Sequence, residues 1–93
     1  MFAREVAAEL AKLFKRKEVV LSGTFQLSES GVHFVAAPGT RAQWFDEWFS
    51  DLRPILRAAL DSGYTLISVD YDGSYILISV GSEFGSEVFR YKF

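Results

Sequence analysis

His33 is the only histidine in the chain, and a hydrolase of the Ser-His-Asp type would have to use it as base. Such a site needs a serine hydroxyl and a carboxylate converging on one imidazole. No Gly-x-Ser-x-Gly turn is present, and the neighbours Val32, Phe34 and Val35 read as a strand.

Asp70-Tyr71-Asp72-Gly73-Ser74 holds the oxygen donors of a calcium loop. Neither register of such a loop fits. One places Tyr75 where glycine must turn the backbone, and the other places Ser79 where a bidentate glutamate closes the shell. The stretch from Gly81 to Ser86 is glycine-rich but matches no phosphate-binding fingerprint. It also precedes a strand pattern, so no helix N-terminus awaits an anion. Glu83 and Glu87 pair as acid and base no better than any two carboxylates. The chain has no cysteine, which removes disulfides, thiolate metal sites and thiol nucleophiles. The expectation is a non-enzyme without catalytic residues, metal or cofactor.

Charge sets the second question. The net charge is −2, but residues 1–41 hold six basic and four acidic side chains, whereas 42–89 hold two and eight. The basic groups Lys12, Lys15, Arg16 and Lys17, with Arg90 and Lys92 near the end, are the candidates for phosphate contact. The acidic middle argues against that use.

These groups need a framework. Ninety-three residues, 49% hydrophobic and 24% charged, suit one globular domain over 1–93. Phe2, Val6, Leu10, Leu13 and Phe14 recur at helical spacing, and Lys15-Arg16-Lys17 complements the end of that helix. Alternating runs over Val19–Ser28 and Val32–Ala37, turned at Glu29-Ser30-Gly31, predict a hairpin. Tyr64–Tyr71 and Ser74–Val80 flank Asp72-Gly73, a strong hairpin signal that pairs Val69 with Ile76 and Ile67 with Ile78. Glu87–Phe93 supplies a last strand. The order is α-β-β-α-β-β-β, an α+β domain with a largely antiparallel five-stranded sheet packed on two helices.

The second helix pattern starts after Thr40 and ends at Ser62-Gly63. Phe45, Trp48, Leu52, Leu56 and Ala59 centre one face of it, with Trp44, Phe49, Ile55 and Leu60 at its margins. Pro54 sits on the polar side and either kinks the helix or splits it, with Asp51 capping a second piece.

If the helices cover the Ile67/Ile78/Phe89 side of the sheet, the other side carries Val35, Tyr64, Leu66, Tyr75 and Leu77. That surface holds more large side chains than a solvated sheet needs. The competing arrangement puts one helix on each face.

The leading functional expectation is a small module that binds another protein. Inhibitor, immunity and adaptor proteins are the types considered, including a phage or mobile-element protein that blocks a host defence. The binding residues would be Trp44, Asp46, Glu47 and Asp51 on the helix edge, with Tyr64, Leu66, Tyr75 and Leu77 on the sheet. A homodimer through the sheet face or edge is a variant of this reading. The alternative is a nucleic-acid binder using the basic first helix and last strand. Without cysteine, a secretory h-region or a membrane-length apolar run, the expected setting is cytoplasmic, with no membrane partner.

Overall fold

A computed structural model describes residues 1–18, 22–38 and 45–93, with only the backbone at 45–48. Helix α1 spans Ala3–Lys17, strands β1 and β2 span Gly23–Ser28 and Gly31–Ala36, and helix α2 spans Phe45–Asp61. Strands β3, β4 and β5 follow at Leu66–Asp72, Tyr75–Ser82 and Gly85–Lys92. The sheet order is β2-β1-β3-β4-β5, and every pairing is antiparallel. The expected element order and α+β class are those of the structure.

Helix α1 opens where the Phe2 N–H donates to Glu5 Oε1 at 2.8 Å, satisfying a donor that the helix cannot use. It closes at Glu18, whose left-handed φ of 54° stops the helical path. Its stripe of Val6, Ala7, Leu10, Leu13 and Phe14 is buried, as the spacing requires. Leu52, Leu56 and Ala59 of α2 join the same core, together with Phe25, Leu27, Ile67, Val69, Ile76, Ile78 and Val80. These strand residues all belong to one side of the pleat. Both helices therefore cover a single face, and the arrangement with one helix on each face is excluded. Phe25 and Phe34 extend the core across the hairpin, their rings 4.6 Å apart and tilted by 38°, a contact of about 0.5–1.5 kcal/mol beyond area burial.

Three expectations change. The β3–β4 register is shifted by two residues: Val69 pairs Ile78, Ile67 pairs Val80 and Asp72 pairs Tyr75. The two-residue loop is thus Gly73-Ser74. Gly73 takes the positive φ, 60°, at the first loop position, while Asp72 stays in the ladder. A shift of two keeps every side chain on its expected face. Second, α2 runs unbroken through Pro54, so no separate helix is capped by Asp51. Third, Tyr64 lies outside β3. Its N–H donates to the Ala59 carbonyl at 3.0 Å, which ties it to the end of α2, and it packs against the core rather than on the opposite face. The expected start of α2 at Thr40 and of β1 at Val19 lies outside the described residues.

Candidate protein-binding surface

The face of the sheet away from the helices is built in rows by the pairing register. One row reads Val35, Thr24, Ser68, Ser79 and Val88 across the five strands. The next towards one end reads His33, Gln26, Leu66, Gly81 and Ser86. Towards the other end lie Asp70, Leu77 and Arg90, then Asp72, Tyr75 and Lys92.

Large apolar groups remain in solvent here: Val35 is 48% exposed, Leu66 37% and Val88 66%. Tyr75 and Leu77 are half-buried between charged neighbours. Polar groups near the middle satisfy one another. Thr24 Oγ1 and Ser68 Oγ are 3.1 Å apart, and Ser22 Oγ donates to Asp70 Oδ1 at 3.3 Å. Arg90 lies over the Tyr75 ring at 3.7 Å, holding two large side chains in one geometry.

The sheet gathers Leu66, Tyr75 and Leu77 on this surface, as their spacing implied, and leaves Tyr64 out. Asp51 is on α2, away from this face, and its carboxylate pairs with Lys17 at 3.2 Å. Trp44 lies outside the described residues, as do the side chains of Asp46 and Glu47. The basic candidates are divided. Lys12 pairs with Glu9 at 3.7 Å, Lys15 and Arg16 are exposed on α1, and Lys17 bridges to Asp51. Arg90 and Lys92 stand on the opposite face of the sheet from α1. The fold does not join these six cations into one surface.

Two features were not anticipated. Phe84, at the tip of the β4–β5 hairpin, is 92% exposed. A groove of about 720 Å³ runs between the β1–β2 hairpin and α2. Leu27, Val32, Phe49, Leu56 and Leu60 line it, with Arg53 and Arg57 at its rim. Arg57 is committed to Glu29 at 3.3 Å and Asp61 at 2.8 Å. These two carboxylates raise its already high pKa, the Glu29 hydrogen bond most. Only the adjacency of hairpin and helix creates this groove, and no sequence pattern signals it.

His33 is exposed on edge strand β2. Asp72 ends β3 and Gly73-Ser74 form the β3–β4 turn. Among the described residues, no group of three or more histidine, aspartate or glutamate side chains is placed to hold a metal ion. No described helix is long and apolar enough to cross a membrane. Comparison with protein-family models, curated proteins and solved structures found no match, so the functional reading rests on this surface.

Proposed function

We propose that the chain is a small non-enzymatic protein-binding module that works through the open face of its sheet. The observation that carries this reading is the placement of both helices on one face. It leaves Val35, Leu66 and Val88 exposed, and Tyr75 and Leu77 half-buried, on the other. A solvated sheet face needs few large side chains, and an interface core favours tyrosine and arginine framed by a polar rim, as Tyr75 and Arg90 stand here. The types this reading covers are inhibitors, immunity proteins and adaptors, including a phage or mobile-element protein that blocks a host defence. A cytoplasmic setting belongs to the same proposal.

The nucleic-acid alternative is weaker, because α1 and the Arg90/Lys92 pair face opposite directions. The test is capture of a partner by tagged wild-type chain and by a Tyr75→Ser/Leu77→Ser variant. The variant should keep its circular dichroism spectrum and lose the captured protein. Equal capture by both chains overturns the role of this face.

A further inference from the structure

The charges of the open face fall into two columns. Asp70 and Asp72 stand on β3, Arg90 and Lys92 on β5, and β4 between them presents Leu77 and Tyr75. Asp70 and Arg90 share a row, since both pair with Leu77, and Asp72 and Lys92 share the next through Tyr75. Two strand spacings, about 10 Å, separate acid from base within each row, too far for an ion pair. Indeed no ion pair among the described residues includes any of the four.

We infer that the partner of this face is a second copy of the chain, related by a two-fold axis running along β4. This rests on the protein-binding reading of the same surface. Rotation about that axis brings β3 of one copy opposite β5 of the other while keeping each row at its own height. Asp70 then meets Arg90 of the second copy, Asp72 meets Lys92, and both contacts occur twice, as an isologous interface demands. Leu77 and Tyr75 meet their own counterparts on the axis and supply its apolar centre. The other aligned packing of two sheets, with the axis across the strands, sets acid column against acid column and base against base. Electrostatics therefore selects one of the two. Three strands present less than the roughly 800 Å² per partner of a standard interface, so the dimer is weak and depends on concentration.

Sedimentation of the full chain from low micromolar to millimolar concentration tests this. The wild type should pass from monomer to dimer, and added salt should push it back. Asp70→Arg and Arg90→Asp should each weaken the dimer roughly tenfold, and Asp70→Arg/Arg90→Asp together should restore it, because the swap rebuilds both contacts. All four residues are exposed, and unchanged circular dichroism will show that the variants fold. A chain that stays monomeric at millimolar concentration overturns the inference, as does a dimer indifferent to the single reversals. Capture of a different protein that is lost on Tyr75→Ser/Leu77→Ser, by a chain that never dimerises, would keep the open face as the binding surface and remove the second copy as its occupant. Loss of both results removes both.

Discussion

The Arg90 guanidinium carbon lies 3.7 Å from the centre of the Tyr75 ring, although the two residues are not opposite each other in the ladder. Tyr75 pairs with Lys92, and Arg90 with Leu77, so this is a diagonal contact across β4 and β5. Diagonal neighbours are within reach of long and aromatic side chains. On an exposed surface such a contact is worth about 0.5–1 kcal/mol. Arg90→Gln should lower unfolding free energy by about that amount. A double-mutant cycle with Tyr75→Leu should return most of it as coupling, and zero coupling would mean that the ring and cation do not meet in solution.

Gly81 faces the open side where β4 meets the turn into β5. A Cβ placed there would run into the Gly85 carbonyl oxygen and lie 2.5 Å from the Ser86 Cα, both backbone atoms. The ladder must separate to admit even a methyl group. Gly81→Ala should cost about 1–3 kcal/mol, read as a lower denaturant midpoint, while Ser79→Ala on the same strand should change little.

Pro54 removes one N–H from an otherwise continuous α2 and leaves the Ser50 carbonyl without its helical donor. Both residues are exposed, so the Ser50 carbonyl faces solvent instead of being buried without a donor, and the helix tolerates the ring. Pro54→Ala restores the hydrogen bond but frees the unfolded chain. The expected balance is a gain of about 1–2 kcal/mol, measured by urea unfolding. A loss of stability would show that the proline ring packs usefully in the groove that it lines.

Tyr91 is held above its ordinary pKa of 10.0 by burial, with Arg4 pulling weakly the other way. Its folded form keeps the phenolic proton that the unfolded chain releases, so the folded state binds more protons in that window. Stability contributed by neutral Tyr91 is therefore complete below pH 10.0 and falls as pH rises through the folded value. Tyr91→Phe should flatten the alkaline loss of melting temperature. Arg4→Gln should leave the onset where it is and deepen the alkaline loss, because without the cation the folded phenol keeps its proton to still higher pH.

Much of this fold was legible because periodicity reports burial. The spacing of Val6, Leu10 and Phe14 marked the buried stripe of α1, and alternation through Ile67, Val69, Ile76 and Ile78 grouped these four residues on one side of the sheet. Parity survived even where register did not. Asp72-Gly73 looked like a loop pair, yet the loop needed its positive φ one position later, so pairing moved by two residues and no side chain changed face. Alternation extends back past Leu66 to Tyr64, but the backbone there closes the end of α2 through the Tyr64 N–H to the Ala59 carbonyl. The choice of face by the two helices, the Lys17–Asp51 pair and the groove under the β1–β2 hairpin depend on which elements become neighbours. Periodicity carries no information about that. For the same reason strand periodicity places Leu66, Tyr75 and Leu77 on one face, whereas it gives no sign that Asp51 pairs with Lys17.

Helix α1 comes first in the chain but packs on β4 and β5, its last two strands. A ribosome therefore releases the amphipathic stripe of Leu10 and Phe14 well before the surface meant to cover it exists. The helix must wait, or pair with α2, until the final hairpin closes. Folding is thereby tied to completion of the carboxyl-terminal strands, and a chain shortened before β5 should present an exposed apolar helix of the kind that chaperones and proteases recognise.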